Sequence, residues 1–95
     1  MDVTDETSIS NAMEETKSKI KDEKLYGLVN NAGIYTNDEE AVMDTNLYGT
    51  KRVTEAFLPL LEPDGGRIVN LGSGRFVSFI IYLIISINLR TLIYL

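Results

Sequence analysis

The chain has 95 residues, 14 acidic and 9 basic, and a formal net charge of −5, with no histidine and no cysteine. That balance argues against a nucleic-acid partner, which needs clustered Lys and Arg to neutralise phosphates, and against general attraction to anionic membrane surfaces. Lacking cysteine it has no disulfide, thiolate nucleophile or thiolate metal site, and lacking histidine it has neither the commonest general base nor the commonest metal ligand, so no metal centre is expected.

The chain opens with MDVTDETSIS. This acidic, polar stretch is unlike a secretory signal, so a cytoplasmic location is expected. Residues 5–21 read as an amphipathic helix. Ile9, Ala12, Met13, Thr16 and Ile20 recur at helical spacing, with Glu14, Glu15, Lys17, Lys19 and Lys21 on the other side. Thr4 or Asp5 can cap it by taking an orphan helical N–H. Acids early and lysines late suit the helix dipole. Residues 25–30 (LYGLVN) form a short apolar run, read as a buried strand that ends in the turn Asn30-Asn31-Ala32-Gly33.

Residues 39–61 read as one long helix. Val42, Thr45, Asn46, Gly49, Val53, Ala56, Phe57 and Leu60 share a face, and Pro59 should kink or end its last turn. Pro63-Asp64-Gly65-Gly66 signals a turn. Residues 67–71 (RIVNL) read as a second strand, followed by Gly72-Ser73-Gly74. Two apolar strands joined by a helix make a βαβ unit, whose crossover gives parallel strands. In open α/β sheets a ligand sits beyond the carboxyl ends of the strands. That nominates the two polar, small-residue turns after Asn30 and Leu71 as one binding face.

Composition then changes. Residues 1–75 mix charged and apolar residues as a globular domain does. Residues 76–95 (FVSFIIYLIISINLRTLIYL) carry one charge, Arg90, and no Gly/Ser/Pro linker precedes them. Two segments are therefore expected: a partial domain over 1–75 and an apolar tail over 76–95.

The turn Asn30-Asn31-Ala32-Gly33, with Asp2-Val3 upstream, Asn46 in the following helix and Ile68-Val69-Asn70-Leu71-Gly72-Ser73 closing the second strand, resembles the short-chain dehydrogenase/reductase family. The run TNLYGTKRVTEAFLPLL and the following GRIVN are closest to its monomeric carbonyl-reductase branch. The resemblance covers residues 2–74. It implies a partial Rossmann-type, doubly wound parallel α/β sheet, and NADP(H)-dependent reduction of a small-molecule carbonyl substrate to an alcohol. It further implies roles for single residues. Asp2 and Val3 would contact the adenine ring of the cofactor. Asn30, Asn31, Ala32 and Gly33 would lie beside its ribose. Asn46 would bend the helix and hold a proton-relay water, and Ser73 would hydrogen-bond the substrate carbonyl.

Two family features have no counterpart in these 95 residues. No glycine-rich turn precedes Asp2. No lysine follows Lys51, so the Tyr-x-x-x-Lys pair expected after Ser73 is missing. Tyr48 and Lys51 are one residue too close and precede the serine strand, so they read as ordinary helix residues. In the family the tyrosine is the acid, and its lysine lowers the tyrosine pKa from about 10 towards working pH. The expectation is a truncated, catalytically incompetent oxidoreductase fragment. A non-enzymatic interaction module and a membrane-associated variant anchored through the tail stand as alternatives.

Three readings of the tail compete. It barely reaches the roughly 20 apolar residues of a membrane-spanning helix. Its β-branched and aromatic residues suit a strand. Its composition also fits translated non-coding sequence. Fused to a soluble reporter, residues 76–95 are expected to stay out of the membrane pellet after carbonate extraction. Recovery in that pellet would establish an anchor.

Overall fold

The computed structural model describes residues 1–71 and, as backbone, the strand at 91–94. Helix α1 spans Glu6–Ile20, and the Asp5 carboxylate caps it by accepting from the Thr7 amide. Strand β1 spans Gly27–Asn30, helix α2 Glu39–Met43 and helix α3 Thr50–Phe57. Strand β2 spans Arg67–Leu71 and strand β3 spans Thr91–Tyr94. The strands form one sheet in the order β1-β2-β3, with both pairings parallel. Register places Asn30 opposite Asn70 and Ile68 opposite Thr91. The expected βαβ unit and partial Rossmann-type sheet are both present.

Strand β3 lies inside the apolar tail, so four tail residues hydrogen-bond to β2. This is the strand reading of that segment. The remainder of the tail, with the Gly72-Ser73-Gly74 turn, lies outside the described residues. Among the described residues no helix is long and apolar enough to cross a membrane.

The long helix expected over 39–61 is composite. Between α2 and α3 the chain winds as a π-helix over Asp44–Gly49, and after α3 it tightens into a 3₁₀ turn over Leu58–Leu60. Pro59 sits in that last turn, where it has no N–H to donate to a continuing α-helix. Apolar periodicity is nearly blind to one extra residue in a turn, so the π segment left no clear mark on the pattern.

Ile9 of α1 and Val53 and Phe57 of α3, with Leu60, form the buried cluster, and Ala12, Met13, Leu25 and Leu28 pack against it. In the sheet, Ile68 and Asn70 of β2 and Asn30 of β1 are buried. The expectation of a wholly buried first strand is corrected here. The strand proper begins at Gly27, while Leu25 forms only an isolated bridge to Leu61. Its residues alternate, with Asn30 buried and Val29 61% exposed. Parallel sheets are normally covered on both faces, but among the described residues α1 and α3 cover one face only.

This asymmetry predicts a contrast. Ile68→Ala should cost about 2–5 kcal/mol in urea unfolding of the full chain, as for other buried large-to-small changes. Val29→Ala should change stability by no more than about 0.5 kcal/mol, the usual range for exposed sites. A comparable loss at both would show that the second face is also covered.

Candidate functional site

The carboxyl end of β1 is fixed by one side-chain amide. Asn30 Nδ2 donates to Asn70 Oδ1 at 2.7 Å and to Thr54 Oγ1 at 3.0 Å. All three residues are buried, and no buried side-chain polar atom among the described residues lacks a partner. A buried polar group is costly unless paired, so this three-way junction pins β1 to β2 and both to α3. With Asn30 anchored, Asn31, Ala32 and Gly33 run out into an exposed turn.

Asn46 holds the far side of that turn from within the π segment. Its Oδ1 accepts from the Ile34 amide at 2.8 Å and its Nδ2 donates to the Ile34 carbonyl at 2.8 Å. Gly33 lies close enough that a Cβ there would sit 3.4 Å from Asn46 Oδ1. The Asn46 side chain is therefore committed to the loop backbone. Its carbonyl accepts from Thr50 Oγ1 at 3.1 Å.

Asp2 and Val3 reach the same region from the N-terminus. Asp2 Oδ1 accepts from the Thr4 amide at 2.9 Å and from the Thr4 hydroxyl at 2.8 Å, closing an Asx turn. Those two bonds, the amide first, hold the Asp2 carboxyl below the ordinary aspartate range. A depressed folded pKa stabilises the fold above the unfolded pKa, and that contribution fades as pH falls through the carboxylate range. Val3 packs on the helix where Gly49 leaves room. A Cβ at Gly49 would lie 2.7 Å from Val3 Cγ2, too close for any side chain.

Together these elements enclose a cleft of about 240 Å³, lined by Val3, Leu28, Asn30, Asn31, Ala32, Thr50 and Val53 among others. Of the residues expected at the site, Val3, Asn30, Asn31 and Ala32 line this cleft. Asp2 adjoins Val3, and Gly33 and Asn46 touch each other at the adjoining loop. Ser73 lies outside the described residues. Tyr48 is 48% exposed, and Lys51 Nζ stands 2.6 Å from Glu55 Oε1 in a pair along the helix.

Sequence reasoning did not single out Thr54, Asn70 or Thr50 as part of the site. The first two had a signal: both strands end in the same triplet form, Leu28-Val29-Asn30 and Ile68-Val69-Asn70. Aligned in parallel, those triplets put two amides side by side. No group of acidic side chains that could hold a metal ion occurs among the described residues.

A family model described as short chain dehydrogenase matches residues 1–79. The chain is 39% identical over 91 residues to the mitochondrial D-beta-hydroxybutyrate dehydrogenase of Rattus norvegicus, covering 82% of this chain and 26% of that protein. It is 41% identical over 83 residues to estradiol 17-beta-dehydrogenase 2 of Mus musculus, covering 77% and 22%. The chain thus spans about a quarter of the length of these curated relatives. Among solved structures, it superposes on a short-chain dehydrogenase/reductase from Serratia marcescens with TM-score 0.69 at 25% identity, covering 80% of this chain and 38% of that one. It also superposes on an enoyl-[acyl-carrier-protein] reductase (NADH) from Aquifex aeolicus with TM-score 0.75 at 20% identity, covering 97% and 53%. The second likeness is one of fold.

The Asn30 junction makes its own prediction. Asn30→Ala leaves a buried acceptor on Asn70 and on Thr54 without its donor, and should cost about 1–3 kcal/mol in chemical denaturation. Because the two residues share one bond, Asn30→Ala combined with Asn70→Ala should cost clearly less than the two single losses added. Strict additivity would show that the amides act independently.

Proposed function

The chain belongs to the short-chain dehydrogenase family, and on that premise we propose that the cleft between Val3 and Asn30 is the adenosine side of a nicotinamide dinucleotide site. The observation that supports this reading is the convergence of Val3 from the N-terminus with Asn30, Asn31 and Ala32 from the end of β1, around one space at the carboxyl end of a parallel strand. A purine has flat apolar faces and a polar edge. Val3 and Val53 offer apolar contact. Asp2 spends one carboxylate oxygen on Thr4 and keeps the other to accept from an exocyclic amine.

The roles then divide. Asn31, Ala32 and Gly33 pass beside the ribose, with Asn30 holding the strand end rather than touching ligand. Asn46 fixes the loop through Ile34, and its place in the widened helical turn provides the local bend. Ser73 donates to the substrate oxygen. The dinucleotide supplies or accepts hydride, and this chain's residues bind and orient its adenosine.

The parent reaction is the interconversion of an alcohol and a carbonyl on a small molecule, as the hydroxybutyrate and estradiol dehydrogenases among its relatives suggest. The NADP(H) form and a carbonyl-reductase-like substrate range rest on the runs 45–61 and 66–70 alone. The 95 residues contain no lysine after Lys51, hence no Tyr-x-x-x-Lys pair after Ser73. The chain by itself binds adenosine weakly and does not turn over, and a cytoplasmic location is part of the same proposal. A second reading, a non-enzymatic interaction module, draws on the exposed apolar residues Val29 and Leu71 on the uncovered sheet face.

Purified chain titrated with adenosine 5′-monophosphate or NADP⁺ should show chemical-shift changes at Val3, Asn31 and Ala32 with midpoints in the millimolar range. Millimolar NADPH should then leave the unfolding temperature almost unchanged, since ligand stabilises only as RT ln(1 + [L]/Kd). Shifts confined to other residues would overturn the cleft. Reduction of ketones, aldehydes or quinones above a Ser73→Ala control would overturn the incompetence.

A further inference from the structure

Arg52 reaches in two directions from the first turn of α3. Its Nη2 donates to Asp44 Oδ1 at 2.6 Å and its Nη1 to the Asp44 carbonyl at 3.4 Å. Nη1 also donates to the Val3 carbonyl at 3.3 Å, a contact between residues far apart in sequence. Asp44 opens the π segment, so the guanidinium spans the whole of that segment. In a regular helix eight residues rise about 12 Å, which only a long side chain can bridge.

Val3 is thus held twice by one helix. Gly49 lets its side chain lie flush on the helix surface, and Arg52 ties down its carbonyl. Thr50 and Val53 of the same helix form the cleft wall facing Val3. The distance between Val3 and that wall sets the width of the cleft, and Arg52 is the polar tie that fixes it. The planar fork suits this task, because separate N–H groups serve a carboxylate and a carbonyl together.

We infer that Arg52 is a positioning residue for the adenosine side of the cleft: it clamps the Val3 segment against the helix and presets the gap into which a purine ring fits. The inference rests on the cleft reading above. Arg52 touches no ligand in this scheme and acts only through Val3. A lysine keeps the charge but, as a single point donor, cannot hold both Asp44 and Val3. A methionine keeps much of the apolar stem and loses every donor.

The test uses the full chain and its Arg52→Met, Arg52→Lys and Asp44→Asn variants, with Lys19→Met as a control that removes an exposed pair on α1. Amide exchange is read at Thr4 and Asp5, whose amides bond to Asp2 beside Val3, and at Leu28 and Val69 in the sheet. Adenosine 5′-monophosphate binding is read by chemical-shift titration. In Arg52→Met, exchange at Thr4 and Asp5 should rise at least ~10-fold with Leu28 and Val69 unchanged, and the nucleotide midpoint should rise at least ~5-fold, about 1 kcal/mol. Arg52→Lys should remain loosened, Asp44→Asn should fall between, and Lys19→Met should match the parent chain. Unchanged exchange at Thr4 and Asp5 would overturn the inference. So would equal loosening at all four amides, which marks a purely structural role, or a loosened segment with an unchanged nucleotide midpoint. If Arg52→Met does not fold, the milder Asp44→Asn decides by the same criteria. If the parent chain gives no shifts at Val3, Asn31 and Ala32, the cleft reading and the adenosine half of the inference both fall. Exchange then still decides whether Arg52 fixes Val3.

Discussion

The Asn30 amide is the constraint on which the described structure turns. One NH₂ group donates to a neighbouring strand and to the helix that crosses between the two strands. An apolar side chain at this point would pack β1 against α3 but would not select the register. The amide pair does, because Asn30 and Asn70 meet only when the two strands align residue for residue as they do. Slipping the strands by one residue would leave two buried amides unpaired, at a cost comparable to a sizeable part of a small domain's stability. The same bond ends β1 at a fixed place and so aims the turn that follows.

The helical stretch from Glu39 to Leu60 serves three neighbours through changes of winding along its length. As α2 it carries Val42 into the core, as a π-helix it turns Asn46 toward the Ile34 backbone, and as α3 it presents Thr54 to Asn30 and Val53 and Phe57 to α1. A uniform α-helix repeats every 3.6 residues and would rotate some of these groups away from their partners. Isolated π turns are costly and recur at functional positions. Here the turn is held by the two-point bond to Ile34 and by the Arg52–Asp44 pair that brackets it. That pair is 28% and 42% exposed. Its geometric role in joining Val3 to the helix therefore outweighs its Coulomb contribution, which solvent screens.

The sheet is one-sided among the described residues. Ile68 is nearly inaccessible while Val29, on the opposite face of the adjacent strand, is largely open. Both are β-branched aliphatics at equivalent places in matching triplets, and nothing local distinguishes them. A covered face and an open face are properties of which helices arrive, and only α1 and α3 do so here.

The sequence by itself determined the order of elements, the capped amphipathic first helix, the two strands ending in asparagine and the parallel crossover between them. Periodicity, caps and turn residues act over a few positions and are written locally. It also carried the pattern Asp2, Val3, Asn30 to Gly33, Asn46 and Ser73, because a family motif is a string of residue types in order. The tertiary structure alone decided that the Asn30 amide is spent on Asn70 and Thr54, and that the Asn46 amide is spent on Ile34. It decided that Arg52 links Asp44 to Val3, that a strand from the apolar tail joins β2, and that β1 is open on one side. Each of these depends on which distant groups meet. Spacing along the chain sets which way a side chain points on its own element, while its partner is set by how the elements pack, and residues as far apart as Val3 and Arg52 share no local pattern that could announce their contact.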